Sequence, residues 1–159
     1  MGVKDSENVE DYPRPPAIEP FNCSVLVRLN GELIVRAETG FRILETYHPP
    51  TFYLPADAFS ETAVRLSRGR QTMCEWKGKA SYFDLVAGDH VAERAAWTYR
   101  EPESRYAQLR DHLAIYAEPM DEILVDGIRV IPQPGNFYGG WVTPNITGPI
   151  KGAPGTIHW

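Results

Sequence analysis

Cysteine is scarce in this sequence of 159 residues, which contains only Cys23 and Cys74 and has no Cys-x-x-Cys pair. A structural zinc site would lack its usual thiolate ligands, and the four histidines show no metal-ligand spacing, so we expect neither a metal nor another cofactor. Cys23 precedes the apolar run 25–27, and we interpret it as a small buried hydrophobic residue. The sequence leaves a disulfide between the two cysteines open, although a protein that stays inside the cell normally keeps such thiols reduced.

Long apolar runs and basic stripes are also missing. The apolar runs are strand-sized and too short to cross a membrane, and the first residues lack the pattern of a secretory signal. The net charge is -5, from 16 basic and 21 acidic residues, so binding to nucleic acid through phosphate neutralisation is disfavoured. We therefore expect a cytoplasmic protein that binds neither membranes nor nucleic acid.

Two standard catalytic motifs are absent as well. No glycine-rich phosphate loop follows a strand and opens a helix, and no Gly-x-Ser-x-Gly sequence marks a hydrolase nucleophile. These two motifs therefore indicate no enzyme class for this chain.

Turn signals divide the chain into short strands. Asn30-Gly31 and Asp126-Gly127 match two-residue hairpin turns, in which both residues need positive φ angles. Because proline cannot donate to a strand ladder, the proline-rich segment 47–55 is predicted to be an edge strand or an extended loop. Short helical turns are predicted at 55–59 and 103–109, and no long helical pattern is present.

These patterns predict a mainly β protein, with one compact domain of antiparallel hairpins over residues 21–132. Residues 1–20 are acidic and proline-rich, and we expect them to form a flexible arm. Residues 133–159 are rich in glycine and proline but contain several aromatic residues, which a disordered tail seldom has. We expect this tail to dock on the domain or on a second subunit. In the second case the protein would be a homo-oligomer.

The hairpin over residues 80–99 allows two registers. A two-residue turn at Gly88-Asp89 would set Asp84 opposite Glu93, which like-charge repulsion disfavours. A three-residue loop sets Asp84 opposite Arg94 and collects the larger apolar side chains on one face. We predict the three-residue loop, with one face formed by Phe83, Leu85, Val91, Ala95, Trp97 and Tyr99.

The stretch richest in functional groups runs from Cys74 to Tyr82 and continues at residues 96–99. Cys74 and Lys77 are the catalytic candidates, because a neighbouring ammonium group activates a thiolate. Residues three apart on an unbroken strand point to opposite faces, so these two side chains converge only if the chain turns at residues 77–79. The candidate ligand-binding residues are Trp76, Lys77, Ser81, Tyr82, Trp97 and Tyr99, with Tyr116 as a further wall candidate.

Each candidate also has an ordinary structural interpretation. Cys74 fits a buried inert thiol, and Lys77 fits a surface lysine. Trp97 and Tyr99 fit an apolar core as well as they fit a pocket wall for a flat ligand. His48, which precedes two prolines, fits a loop anchor better than a catalytic base.

A series of short motifs occurs in a specific order along the chain. They are Arg28-Leu29-Asn30-Gly31, Leu44-Glu45-Thr46, His48-Pro49-Pro50, Tyr53-Leu54-Pro55, Thr72-Met73-Cys74-Glu75-Trp76-Lys77-Gly78, Ala80-Ser81-Tyr82, Ala96-Trp97-Thr98-Tyr99 and His112-Leu113-Ala114-Ile115-Tyr116. In this order they resemble the domain-of-unknown-function 427 family, which some classifications label nucleotidyltransferase-like. The resemblance covers residues 25–132, with one departure at Glu75, where the family usually has proline.

The resemblance implies a β-roll similar to the tent-like folds of methionine-sulfoxide reductase B and Mss4-like proteins. Those relatives often hold zinc with paired cysteines, which this chain lacks. The family has no settled activity, so the resemblance implies a fold without a function.

Three functions therefore stay open. The first is a pocket for a small polar or planar metabolite, lined by residues of the Cys74–Tyr82 stretch together with Trp97 and Tyr99. The second is an enzyme that uses Cys74 or Lys77, in nucleotidyl transfer if the family label applies, although the sequence shows no cluster of metal-binding carboxylates. The third is a structural or interaction module that uses the aromatic tail.

Overall fold

The computed structural model describes residues 5–68, 72–74, 77–135, 138–152 and 155–156, with only the backbone described for residues 72–74 and 78. Strands make up 51% and helices 9%, which confirms the prediction of a mainly β protein with short helical turns. The helices are 3₁₀ helices at Val9–Asp11, Ala56–Ala58 and Ser104–Leu109. None of the helices in the described residues has the length and apolar character that crossing a membrane requires. The strands are β1 (Glu7–Asn8), β2 (Ala17–Leu29), β3 (Glu32–Leu44), β4 (Thr51–Pro55), β5 (Val64–Leu66), β6 (Thr72–Cys74), β7 (Gly78–Ala87), β8 (His90–Thr98), β9 (His112–Ile115), β10 (Glu122–Val125), β11 (Ile128–Arg129), β12 (Ile131–Pro132), β13 (Trp141–Val142) and β14 (Ile146–Thr147).

Ten of these strands form one antiparallel sheet. Its order is β11-β10-β2-β3-β4-β9-β8-β7-β5, and β6 pairs with β7 beside this path. The long strands β2 and β3 pair from Ala17↔Leu44 to Leu29↔Glu32, and a register shift between Asn22 and Val25 interrupts their ladder. Such irregularities increase local twist and bend the strands. Across the described strands the sheet keeps two free ends, so it is not closed into a barrel.

The sheet curls around a central core. Side chains from near both ends of the strand order, such as Val125 on β10 and Leu85 on β7, belong to one buried cluster. Asn30, in the turn between β2 and β3, donates a hydrogen bond from Nδ2 to the carbonyl oxygen of Ala87, 3.1 Å away at the end of β7. The curled sheet therefore brings strands that are distant in the sheet order into direct contact.

Cys23 lies in this core, where 8% of the residue is exposed. Burial, together with the nearby Asp126 carboxylate, raises the pKa of its thiol to about 11. Its interpretation as a small buried hydrophobic residue is confirmed.

The two Asx-Gly turns lie where the sequence predicts them. Asn30 and Gly31 have φ angles of 50° and 77° between β2 and β3, and Asp126 and Gly127 have 50° and 79° between β10 and β11. Only a backbone with positive φ at both positions closes a two-residue hairpin of this kind. The carboxylate of Asp121 accepts the backbone N–H groups of Asn30 and Gly31 at 3.1 and 2.7 Å, which fixes the first turn against the start of β10.

The prediction that residues 47–55 form an edge strand or a loop is wrong for β4. This strand lies inside the sheet, where it pairs with β3 through Phe41↔Tyr53 and with β9 through Leu54↔Leu113. Two of the prolines precede the strand and Pro55 is its last residue. The backbone N–H groups of its central residues are therefore free to join both ladders.

The predicted three-residue loop between β7 and β8 is also wrong. The strands are joined by the two-residue turn Gly88-Asp89. A bulge further along removes the expected repulsion, because Leu85 pairs with Ala92 whereas Phe83 pairs with Ala96. β8 thus carries two extra residues at this point, and the register on either side of the bulge differs.

Asp84 lies at this bulge and organises it. Its carboxylate accepts hydrogen bonds from the backbone N–H of Arg94 at 2.9 Å, from Arg65 Nη2 at 3.3 Å and from the Ser67 hydroxyl. Burial acts in the opposite direction, but these donors hold the pKa of Asp84 below its usual value. Asp84 and Arg94 are neighbours, but through backbone contact at a bulge rather than through cross-strand side-chain pairing.

The observed pairing of β7 with β8 divides the single apolar face that the sequence predicts for this hairpin. Leu85 and Ala95 belong to the central core, and Phe83 packs against it. Trp97 and Tyr99 belong to a second buried cluster. Phe83 pairs with Ala96 and Tyr82 pairs with Trp97, so Phe83 and Trp97 occupy opposite faces of the hairpin.

The first described residues pack against the end of the chain. β1 pairs in parallel with β14, and Glu7 N donates to the carbonyl oxygen of Asn145 at 2.9 Å. Val9, Tyr12 and Ile146 form a small buried cluster with Leu44 of β3. The two terminal segments thus contact each other as well as the sheet.

The segment after β12 is held by Trp141, which is 1% exposed. Its ring stacks on Phe52 with centroids 4.9 Å apart, and its Nε1 donates to the carbonyl oxygen of Ile115 at 2.9 Å. Its backbone N–H donates to the carbonyl oxygen of Pro50 at 2.8 Å. This residue fixes the tail against β4 and β9.

Candidate functional site

A cleft with a volume of about 650 Å³ opens where the β7–β8 hairpin, the segment after β9 and the tail meet. Small-molecule sites in proteins usually have volumes of roughly 300–1,000 Å³. The sheet side of the cleft carries Tyr82, Arg94 and Tyr116, and the tail side carries Gln133, Tyr138 and Gly139. The cleft is thus rich in phenol rings and contains one guanidinium group.

Arg94 owes its place in the cleft to the bulge in β8. Its backbone has a φ angle of 53°, a left-handed conformation that costs free energy for a residue with a side chain. The hydrogen bond from its N–H to Asp84 stabilises this conformation. The guanidinium carbon lies 4.1 Å from the centre of the Tyr82 ring, and Nη1 donates to the carbonyl oxygen of Arg68 at 3.4 Å. A guanidinium stacked in this way keeps the N–H groups in its plane directed sideways.

Tyr82 and Tyr116 form a pair beside the guanidinium. Burial, together with a hydrogen bond to Tyr82, raises the pKa of the Tyr116 hydroxyl well above its usual value. Tyr116 therefore stays a neutral phenol at physiological pH and keeps its capacity to donate or accept a hydrogen bond.

Two carboxylates lie at the edge of the same cleft. Glu93 and Glu118 are both exposed and line it together with Arg94. Because like charges repel, they disfavour a ligand that carries several negative charges. The balance suits a ligand with a single anionic group more than a polyphosphate.

A buried aromatic cluster supports the floor of the cleft. Trp97 is 7% exposed, and its ring centre lies 4.6 Å from that of Tyr116. Its Nε1 donates a hydrogen bond to the Tyr53 hydroxyl at 3.2 Å. Tyr53 in turn contacts Tyr99, with ring centres 6.2 Å apart. Trp97 and Tyr99 therefore act from below the cleft and do not line it.

The tail approaches this cluster at Gly139. A Cβ atom at this position would overlap Cη2 of Trp97, so only glycine allows the backbone to lie against the indole without a shift. The neighbouring Tyr138 meets the ring of His48 edge-on at 4.8 Å, and Nζ of Lys151 lies 5.5 Å from its ring centre. The tail thus presents backbone and one phenol ring to the cleft from its described residues.

His48 holds the tail through a hydrogen bond with Gln133. The Gln133 amide accepts the N–H of Gly140 at 3.0 Å and donates to the carbonyl oxygen of Lys151 at 2.9 Å, which fixes its orientation. Its NH₂ group therefore also donates to Nδ1 of His48 at 3.0 Å. The imidazole proton must lie on Nε2, 3.9 Å from the Glu45 carboxylate. His48 is the loop anchor that the sequence indicates.

Lys77 and Ser81, two further predicted site residues, are not among the residues that line the cleft. Lys77 is 8% exposed, with Nζ 6.0 Å from the centre of the Tyr99 ring, so its interpretation as a surface lysine is wrong. Ser81 is 4% exposed on β7 opposite Thr98. Both residues border the buried aromatic cluster, whereas their neighbour Tyr82 reaches the cleft.

The backbone of Cys74 ends β6, where it pairs with Gly78 at the start of β7. The chain therefore reverses between these two residues, and Lys77 forms part of the turn. Trp76 and Glu75 lie outside the described residues, as does the side chain of Cys74. The convergence of the Cys74 thiol with Lys77 accordingly stays a prediction.

Sequence reasoning missed three residues of this site. Arg94 was considered only as a partner for Asp84, Tyr138 only as part of an aromatic tail, and Gln133 not at all. The signal for Tyr138 is its position beside Gly139-Gly140, where a glycine pair lets a backbone approach a ring closely. No local pattern marks Arg94 or Gln133. Within the described residues, no group of three or more His, Cys, Asp or Glu side chains is placed to hold a metal ion.

A family model described as a domain of unknown function (DUF427) matches residues 17–126. The chain belongs to this family. The DUF427 domain includes β2 to β10, together with Tyr82, Arg94 and Tyr116, and it confirms the family that the motifs indicate. The tail residues of the cleft lie beyond the match. No curated protein matches the chain.

Proposed function

We propose that the cleft binds a small organic anion whose carboxylate group is held by Arg94. The observation that carries this proposal is the left-handed bulge, which costs free energy and aims the guanidinium into the cleft. Bulges of this kind re-aim side chains and are frequent next to functional sites.

The chemistry of the neighbouring residues supports a carboxylate ligand. A stacked guanidinium presents parallel N–H groups that match the two oxygens of a carboxylate. The phenol rings of Tyr82 and Tyr116 offer apolar surface and hydroxyl groups to the rest of the ligand. The nearby Glu93 and Glu118 favour a monoanion over a phosphate ester.

The test is a titration of ¹⁵N-labelled protein with sodium benzoate and with benzamide, followed by NMR chemical shifts. The two probes share a ring and differ in charge. We expect benzoate to shift the amide signals of Tyr82, Arg94 and Tyr116, and benzamide to bind more weakly. Equal binding of both probes, or shifts that lie elsewhere, would contradict the proposal.

A variant pair separates Arg94 from general electrostatics. Arg94→Gln removes the guanidinium from the cleft, and Arg36→Gln removes an exposed one from β3. We expect Arg94→Gln to weaken benzoate binding by about tenfold or more, since hydrogen bonds to charged groups contribute about 1.5–3 kcal/mol. Arg36→Gln should bind benzoate like the unaltered protein. The NMR spectra of both variants report directly whether the fold is retained.

A further inference from the structure

The two walls of the cleft come from different parts of the chain. The wall with Arg94 belongs to the DUF427 domain, which the family model matches up to residue 126. The other wall is formed by residues beyond that match, which are Pro132, Gln133, Gly135, Tyr138, Gly139 and Gly140. Without the tail, the Arg94 side would be an open face of the sheet.

The described part of the tail wall offers few side chains that could contact a ligand. The Gln133 amide is engaged with His48, Lys151 and Gly140, so it acts as a brace for the wall. Gly139 lies on Trp97 and adds only backbone. Tyr138 is half-buried, with His48 at the edge of its ring and the Lys151 ammonium near it. Among these residues it alone brings an aromatic surface to the tail side.

We propose that Tyr138 is a specificity-determining residue that makes the cleft select an anion with a flat ring. This inference rests on the proposed function, because it concerns the body of the ligand whose carboxylate Arg94 holds. Tyr138 lines one wall and the Tyr82–Tyr116 pair lines the other, so in the proposed complex a flat ring would lie between these aromatic surfaces. A puckered ring of the same size cannot lie against both aromatic surfaces with the same contact area.

The test compares benzoate with cyclohexanecarboxylate, which carry the same anionic group on a flat and a puckered ring. We expect the unaltered protein to bind benzoate about threefold to tenfold more tightly, as the added value of aromatic contacts predicts. Tyr138→Leu should lose this preference while its affinity for cyclohexanecarboxylate stays nearly unchanged. Tyr138→Phe, which keeps the ring, should retain the preference.

The outcomes separate the two proposals. If Tyr138→Leu keeps the preference for benzoate while Arg94→Gln weakens both probes, the role of Tyr138 is wrong and the anion site stands. If Tyr138→Leu weakens both probes equally, the residue only supports the fold of the tail, and the inference is again wrong. If neither probe binds the unaltered protein at the limit of solubility, both proposals are wrong.

Discussion

His48 should make the stability of this protein depend on pH. Burial, with the charges of Lys151, Arg14 and Lys77, lowers the pKa of its imidazole from 6.5 to about 4. The Gln133 amide donates to Nδ1 of His48, and a protonated imidazole could not accept this hydrogen bond. The folded protein therefore holds this side chain neutral.

The direction of the effect follows from proton binding. In the unfolded chain the imidazole takes up a proton near pH 6.5, whereas in the folded protein it stays neutral until about pH 4. Between these pH values the unfolded state binds more protons, so the free energy of unfolding falls as the pH is lowered. Each pH unit between the two pKa values corresponds to about 1.4 kcal/mol, so the total loss is about 3 kcal/mol.

The assay is urea denaturation followed by tryptophan fluorescence at a series of pH values across this window. In His48→Asn the side-chain oxygen can accept the Gln133 hydrogen bond, but the residue no longer titrates. We expect the stability of this variant relative to the unaltered protein to increase steadily as the pH falls from 6.5 to 4. His90→Asn, at an exposed residue at the start of β8, serves as the control for replacing a histidine by asparagine.

Carboxylates elsewhere titrate in both proteins, so they cancel in the difference between them. A difference in stability that does not change with pH would show that His48 has the same pKa in the folded and unfolded states. The interpretation of His48 as a buried, neutral residue that holds the tail would then be wrong.

Three further predictions concern the tail, the core thiol and the bulge. Gly139→Ala should lower the free energy of unfolding by about 1–3 kcal/mol. The loss should be smaller in a Trp97→Phe protein, where the smaller ring leaves room for the Cβ atom. Equal losses in the two proteins, measured by denaturation, would contradict the close contact. In a Cys74→Ser protein, Cys23 should react with a thiol reagent only on unfolding, because the residue is buried and a pKa of about 11 leaves almost no thiolate at neutral pH. Rapid reaction of the folded protein would disprove this. Asp84→Asn should lower the free energy of unfolding at neutral pH by about 1–3 kcal/mol. This loss should shrink as the pH falls through the acidic range in which the unfolded carboxyl takes up its proton, and a constant loss would show that the charge is unimportant.

The parts of the fold that the sequence predicts correctly are encoded locally. The turn at Asn30-Gly31 needs only two adjacent residues with positive φ, and its position sets the pairing of β2 with β3. The interior position of β4 could not be read in the same way. It depends on β9, which lies more than fifty residues further along the chain, and proline content alone cannot reveal that partner.

In the candidate site, too, local sequence predicts some residues and misses those that depend on distant contacts. Tyr82 and Tyr116 are candidates because they belong to the sequence motifs, and both line the cleft. Arg94 could not be recognised, because the charge argument for its hairpin assumed one register throughout, whereas the bulge changes the register within the strand pair. The contact between His48 and Gln133 joins residues 85 positions apart, and no local pattern links them.

The walls of the cleft differ in how they are held, and this affects what each can contribute. The Arg94 wall is part of a continuous sheet, so the backbone of Arg94 is fixed by the sheet and by Asp84, and its guanidinium stacks on the Tyr82 ring. In the described residues, the tail is held by side-chain contacts and short strand pairs, chiefly the buried Trp141 ring and the Gln133 brace on His48. Elements that depend on few contacts open at a lower free energy than the body of a sheet. Under the proposed function, an anion that reaches Arg94 would therefore find its charge partner already in place, whereas the fit of its ring would depend on how firmly the tail is closed.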